Sequence, residues 1–203
     1  NMHLLISSYL DGRKQFVSFG GYESTYEKCE VGVPQGSVLG PLLFLIHIND
    51  LQNNTGLNIL NFADDTMLYK TYTKDTYLND CKNFNIELKN VSDWLMENKL
   101  KLNLNKTRSM ILYQSKNVFW KNKDPNVKIG KTVISNTNSY KYLGIIIDRN
   151  LKWSEHIETI KTKLQKTLGV LNKTRHFLNE KALYLIFDSL LMSNVRWERV
   201  KIA

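Results

Sequence analysis

A chain of 203 residues with 42% hydrophobic and 23% charged residues has room for one or two domains with a packed core, and its composition excludes a disordered or fibrous class. No apolar run reaches the roughly 20 residues of a membrane-spanning helix; the longest, residues 38–48, is interrupted by Gly40, Pro41 and His47. The net charge of +9 is unevenly placed: residues 1–98 carry 7 Lys/Arg against 12 Asp/Glu (net −5), and residues 99–203 carry 21 against 7 (net +14). That asymmetry suggests a cation held by the first half and a polyanion held by the second. Cys29 and Cys81 lie far apart in sequence, make no metal-type spacing, and read as small buried hydrophobes of a reducing compartment. The N-terminus shows no basic-then-apolar signal pattern. It opens in what reads as a helix, without an initial Met, so a longer polypeptide is expected around it.

Taken in order, residues 1–10 read as the end of a helix stopped at Asp11-Gly12. Residues 14–19 and 25–30 read as strands joined through Gly20-Gly21. A rigid loop follows, Gly32-Val33-Pro34-Gln35-Gly36-Ser37, leading into a helix for which Ser37 is the expected N-cap and Pro41 a tolerated first-turn residue. Apolar residues surround that helix, which predicts burial. A Gly-rich loop at a helix start suits a phosphate or nucleotide.

Residues 57–69 place two apolar runs on either side of Ala63-Asp64-Asp65, a spacing that predicts a hairpin with two acids at its tip. Side-by-side carboxylates repel unless a cation neutralises them, and Mg²⁺ is commonly held by one or two carboxylates plus substrate phosphates. By itself the pair is also what an ordinary Asp-rich turn looks like. The period of Leu78, Cys81, Phe84, Leu88, Val91 and Leu95 predicts an amphipathic helix over 75–97, with Trp94 in the core. Beyond it, residues 108–113 and 140–148 read as strands, 114–126 as a loop, and 127–129 with 132–134 as a hairpin about Gly130-Lys131. The last 50 residues read as a helical hairpin. Ser154 caps its first helix, whose apolar face runs through Ile157, Ile160, Leu164, Leu168 and Leu171, with Lys152, Lys161, Lys163, Lys166 and Lys173 on the polar side; Asn179 opens the second.

In this order the motifs resemble the reverse transcriptases of retrotransposons without long terminal repeats (the LINE-type elements). Residues 8–15, Ser-Tyr-Leu-Asp-Gly-Arg-Lys-Gln, resemble the stretch that precedes the family's fingers–palm loop. Residues 32–41, Gly-Val-Pro-Gln-Gly-Ser-Val-Leu-Gly-Pro, are similar to its nucleotide-and-template loop, and Ile48-Asn49-Asp50-Leu51 to the end of the next helix. Phe62-Ala63-Asp64-Asp65 is similar to its aromatic-Ala-Asp-Asp hairpin, and Asn103 with Lys106-Thr107 to its Asn-x-x-Lys-Thr region. Tyr142-Leu143-Gly144 followed by Asp148, Leu151, Trp153, His156 and Ile157 resembles its primer grip and entry into the thumb. The resemblance covers roughly residues 5–192.

It implies an α+β fold: a polymerase palm with an antiparallel sheet carrying the Asp-Asp hairpin and packed helices over 1–150, then a helical thumb over 151–203. It implies RNA-directed DNA polymerisation, in which a primer 3′ hydroxyl attacks the α-phosphate of a dNTP with help from two Mg²⁺ (Mn²⁺ as substitute). By resemblance Asp64 and Asp65 are metal ligands and Lys106 a residue near the pyrophosphate and general acid. Pro34, Gln35, Gly36, Phe62 and Ala63 would line the nucleotide and template. Tyr142, Leu143 and Gly144 would touch the primer, and Lys152, Lys161, Lys163 and Lys166 the phosphate backbone. Implied partners are an RNA template, a DNA primer, dNTPs and the rest of a retroelement polyprotein (fingers and an endonuclease), with no membrane and with work in the nucleus at the site of integration.

The family's third carboxylate lies on a strand upstream of residues 8–10, so residues 1–203 alone are expected to be inactive. Residues 194–199 depart from the family's aromatic-Gly continuation. The alternative is a catalytically dead or repurposed remnant that at most binds nucleic acid.

Overall fold

A computed structural model describes residues 1–114, 118–193, 195 and 196. Part of the loop expected over 114–126 and most of the C-terminal departure at 194–199 therefore lie outside the described residues. The fold is mixed: the described residues form five α-helices and ten short strands, the strands paired into five antiparallel two-stranded ribbons. The chain divides into two compact units, one made of Asn1–Asn103 with Lys128–Val133, the other of Leu104–Val127 with the described part of residues 134–203.

In the first unit, α1 (Met2–Leu10) ends where Asp11 Oδ1 accepts the Gly12 N–H at 2.8 Å and Gly12 turns the chain with φ +64°. The expected hairpin over 14–30 is present but interrupted. Strand β1 (Lys14–Gln15) pairs with β4 (Glu27–Lys28), and inside it β2 (Ser18–Phe19) pairs with β3 (Tyr22–Glu23). Between them Val17 N donates to Ser24 Oγ, a side-chain bond in place of a ladder bond.

Helix α2 runs Gly40–Asn49, two residues later than a Ser37 cap implies, with Leu39 at the cap position. A helix opened at Ser37 would set the Pro41 ring against the Ser37 carbonyl; starting at Gly40 leaves Pro41 in the first turn, where its missing N–H costs nothing. Nor is α2 buried all round: Gly40 and Ile48 are, whereas Leu42, Leu45 and Ile46 are exposed.

A 3₁₀ turn (Asp50–Asn54) leads to β5 (Asn58–Phe62) and β6 (Asp65–Tyr69), then to α3 (Tyr77–Glu97). The core forms where the expected α3 stripe meets α2: Val91 and Trp94 pack with Ile48 and Leu51, flanked by Phe44, Ile59, Leu68, Leu95 and Leu100. Leu78 is not part of it; the side chain lies exposed in the first turn of α3. The ribbon β7 (Lys128–Ile129) and β8 (Thr132–Val133) joins α3 through Lys128 N, which donates to Asn85 Oδ1 at 2.8 Å.

In the second unit the segment 108–113 forms no ladder; Ser109 makes one isolated parallel bridge to Asn136. A 3₁₀ turn at Val118–Trp120 buries Trp120. The strand expected over 140–148 is instead a hairpin, β9 (Ser139–Tyr142) against β10 (Ile145–Asp148). Leu143 and Gly144 both have positive φ (+48° and +86°), which no strand accommodates and which a type I′ turn requires. Helix α4 (Ser154–Thr174) and α5 (Glu180–Ile186), continued by a π-helical stretch (Phe187–Met192), make the expected pair. Asn179 caps α5 by accepting the Ala182 N–H at 2.9 Å. Ser154 does not cap α4: the cap position is Trp153, and the amides there are held by Asp148. No described helix is long and apolar enough to cross a membrane.

Candidate metal and nucleic-acid site

The Asp-Asp hairpin is built from a short ladder. Phe62 sits opposite Asp65, Leu60 opposite Met67 and Ile59 opposite Leu68, so the connection is the two-residue turn Ala63-Asp64. Ala63 takes φ +51° and Asp64 does not, the sign pattern of a type II′ turn. A residue with a Cβ in that region costs about 1 kcal/mol or more. The turn puts Asp64 at the tip and Asp65 at the start of β6, both exposed. Neither carboxylate makes a hydrogen bond or ion pair with a described residue.

Two features fix this ribbon at its open end. The Glu87 carboxylate of α3 accepts from Gly56 N at 2.8 Å and from the Thr55 hydroxyl at 3.0 Å, just before the buried Leu57. Those donors, the Gly56 N–H first, hold the Glu87 carboxyl below its ordinary pKa. At the end of β6, Lys70 pairs with Asp80 of α3 at 3.2 Å. One face of the ribbon, through Ile59 and Leu68, rests on the core. The tip is thus carried rigidly while its carboxylates stay open to solvent. Sequence reading did not single out Glu87; on a polar helix face nothing distinguishes it from a solvated acid.

The Pro34-Gln35-Gly36 loop is folded back on the start of α2. Ser37 Oγ donates to the Pro34 carbonyl at 2.7 Å and accepts the Gly40 N–H at 3.0 Å. A Cβ at Gly40 would meet Pro34 O at 2.8 Å and Ser37 Oγ at 2.9 Å, so the loop needs glycine there. Gly36 turns with φ +77°. Arg13 reaches in from the α1 end, its guanidinium donating to the Leu10 and Gly32 carbonyls. Pro34 is half-buried; Gln35, Gly36, Phe62 and Ala63 are exposed. The loop and the Asp-Asp tip belong to the same unit, with no hydrogen bond between them among the described residues.

Lys106 and the Tyr142-Leu143-Gly144 turn belong to the second unit, where the Tyr140 hydroxyl donates to the Lys106 carbonyl at 3.1 Å and ties the Lys106 loop to the β9–β10 ribbon. The other end of that ribbon is joined to α4 by Asp148. Its carboxylate accepts three backbone N–H groups, from Asn150 (3.0 Å), Lys152 (3.1 Å) and Trp153 (2.6 Å). His156, 1% exposed, sits beneath the ribbon with Nδ1 facing Ile146 N at 3.4 Å. Of the lysines expected along α4, Lys152, Lys163 and Lys166 are exposed, and Lys161 pairs with Glu158 at 3.1 Å.

Two exposed carboxylates without protein partners fit a hard cation that completes its shell with phosphate and water oxygens. The described residues contain no group of three or more His, Cys, Asp or Glu that could hold a metal by themselves. Residues 1–147 match the family described as reverse transcriptase (RNA-dependent DNA polymerase). The chain belongs to the reverse transcriptase family. Its similar proteins include the RNA-directed DNA polymerase from mobile element jockey of Drosophila funebris, 32% identical over 176 residues, which are 83% of this chain and 18% of that protein. The probable RNA-directed DNA polymerase from transposon X-element of Drosophila melanogaster is 30% identical over 167 residues (79% and 18%). That from transposon BS is 27% identical over 190 residues (88% and 20%). The chain thus spans about a fifth of the length of the curated relatives it matches. No solved structure matches.

Proposed function

We propose that this reverse transcriptase chain is the palm (residues 1–150) and thumb (151–203) of an RNA-directed DNA polymerase of a mobile element without long terminal repeats, extending a DNA primer on an RNA template from dNTPs. The observation that carries the reading is the Asp64–Asp65 pair on an anchored hairpin tip, exposed and without an ion pair among the described residues, in a chain matched by its family over residues 1–147. The similar proteins of Drosophila, each named an RNA-directed DNA polymerase, support it.

In this reading Asp64 and Asp65 hold divalent Mg²⁺, for which Mn²⁺ substitutes. The ions supply charge neutralisation at the attacking and leaving oxygens of the phosphoryl transfer. The protein's share is positioning. The II′ turn presents the two acids, and Glu87 and the α2–α3 core keep the ribbon from moving. Pro34, Gln35 and Gly36, with Phe62 and Ala63, border the incoming nucleotide and template base. Lys106 faces the pyrophosphate and donates a proton to it as it leaves. The Tyr142-Leu143-Gly144 turn bears on the primer, and Lys152, Lys161, Lys163 and Lys166 contact phosphates without reading sequence. The remaining partners are the other parts of a longer polypeptide, with fingers and an endonuclease, acting in the nucleus.

The alternative reading is a catalytically dead or repurposed remnant that at most binds nucleic acid. Primer extension on an RNA template by a polypeptide containing this chain separates the two. Mg²⁺-dependent extension abolished by Asp64→Ala is the expected result; extension that survives Asp64→Ala overturns the assignment of the site.

A further inference from the structure

Away from the Asp-Asp hairpin, the second unit contains a cleft of about 490 Å³. It lies at the open end of the β9–β10 ribbon, beside Ser139 and Asp148, whereas the Tyr142-Leu143-Gly144 turn closes the opposite end. Arg149 lines it and is held in place from several sides. Nη1 donates to Asn138 Oδ1 at 2.9 Å, Nη2 to the Trp120 carbonyl at 3.3 Å, and the guanidinium carbon lies 5.0 Å from the centre of the Tyr113 ring. Backbone bonds from Arg149 N to Asn138 O and from Tyr113 N to Arg149 O complete the frame. The charge is therefore fixed before any ligand arrives.

The acids of the cleft are already engaged. Asp148 is taken up by three backbone amides, and Glu155 accepts the Ser139 hydroxyl at 2.7 Å. Of the lysines that line it, Lys121 makes no ion pair among the described residues, and Lys152 has only the electrostatic attraction of Asp148. Arg149 Nε and Asn150 Oδ1 are buried without a hydrogen-bond partner among the described residues, and orphaned polar atoms beside a cavity mark a place where water or a ligand supplies the missing bonds. Two further cations lining the same cleft as a fixed one select an anion. The volume exceeds what a lone phosphate fills and falls in the range of sites for small organic ligands.

We infer that this cleft takes one nucleotide of a single-stranded nucleic acid, with its phosphate between Lys121 and Lys152 above Arg149 and its sugar and base against Asn122 and the Tyr113 edge. An unpaired, unstacked base can turn into an open cleft of this size, whereas a base held in a duplex cannot. The inference rests on the nucleic-acid reading above and adds to it a single-strand site that shares Lys152 with the phosphate contacts proposed there.

The test uses the 203-residue chain and fluorescence anisotropy with a labelled 12-nucleotide single-stranded RNA, a blunt RNA–DNA hybrid, and AMP as competitor. Lys121→Glu, on an exposed side chain, is expected to weaken the single strand by about fivefold and to lower the steepness of its salt dependence by about 0.7, the increment for one phosphate of a single strand. The hybrid is expected to bind unchanged. In parallel, 4-thiouridine in the RNA is expected to cross-link to the segment around Tyr113 and Lys121, mapped by mass spectrometry. Equal weakening of strand and hybrid, cross-links elsewhere, or AMP competing at the concentration of the RNA's own nucleotides overturns the inference. Binding of the hybrid without the single strand overturns it and leaves the polymerase reading standing; binding of neither removes the nucleic-acid reading itself.

Discussion

The Glu87 carboxylate of α3 accepts the Gly56 N–H at 2.8 Å and so anchors the start of the strand whose far end carries Asp64. A charged acceptor holding a backbone amide and the Thr55 hydroxyl together contributes about 1–2 kcal/mol. Glu87→Gln keeps the shape and weakens both bonds, and a urea melt should show a loss of that size. The pH dependence has a definite sign. Because the folded carboxyl titrates below its unfolded value, its stabilisation is complete above the unfolded pKa of about 4.3 and disappears as the pH falls through the folded one. The difference between wild type and Glu87→Gln should therefore be constant near neutrality and shrink on acidification below about pH 4.5. A difference that grows there would mean that Glu87 is not the acceptor.

Asp148 does the corresponding work in the second unit. Partial burial pushes its carboxyl up, but the amides of Lys152, Trp153 and Asn150 outweigh that and leave it lowered. The segment they hold includes Leu151 and Trp153, both with left-handed backbone (φ +53° and +61°), a conformation that the three bonds sustain. Asp148→Ala should cost about 2–3 kcal/mol and free the Trp153 ring, which is half-buried in the wild type. Urea unfolding followed by tryptophan fluorescence checks both. Asp148→Asn keeps one acceptor oxygen and should fall between.

How much of this was legible beforehand follows from the range of each interaction. The hairpin at Asp64, the α3 stripe around Val91 and Trp94, and the Asn179 cap are local patterns, and the residues that specify them lie within a few positions of one another. The β9–β10 segment reads as one strand in the sequence because Ile145, Ile146 and Ile147 dominate the pattern, while the turn depends on Leu143 and Gly144 both taking positive φ, which only Gly144 announces. Glu87 with Gly56 and Arg149 with Trp120 are 31 and 29 residues apart, and no spacing rule links a helix acid or a basic residue to a distant backbone atom. The exposed face of α2 was missed because an apolar sequence reports what a residue prefers and not what this chain places against it.

The turn conformations yield a prediction of opposite sign. Ala63 and Leu143 each hold a Cβ in the left-handed region. Leu143→Asn relieves part of that cost in a type I′ turn and should stabilise the second unit by about 0.5–1 kcal/mol, read as a rise in the midpoint of thermal unfolding. Ala63→Gly should do the same for the first unit. A fall in either midpoint would show that the side chain earns more in packing than its backbone loses.

The lysines of α4 distinguish structural charge from binding charge. Lys161 is engaged with Glu158, two exposed groups whose pairing is worth little, whereas Lys163 and Lys166 are exposed along the same helix and make no ion pair among the described residues. If these lysines meet phosphates, Lys163→Gln and Lys166→Gln should each lower the steepness of log K against log salt for an RNA–DNA hybrid by up to about 0.9, and together by about twice that. Lys161→Gln should have a smaller effect, because Glu158 is released as its partner leaves. Titration of hybrid binding between about 50 and 200 mM salt measures the slopes. Unchanged slopes in the double variant would leave α4 with a lysine-rich solvated face and move the +14 charge of the second half elsewhere as the source of polyanion binding.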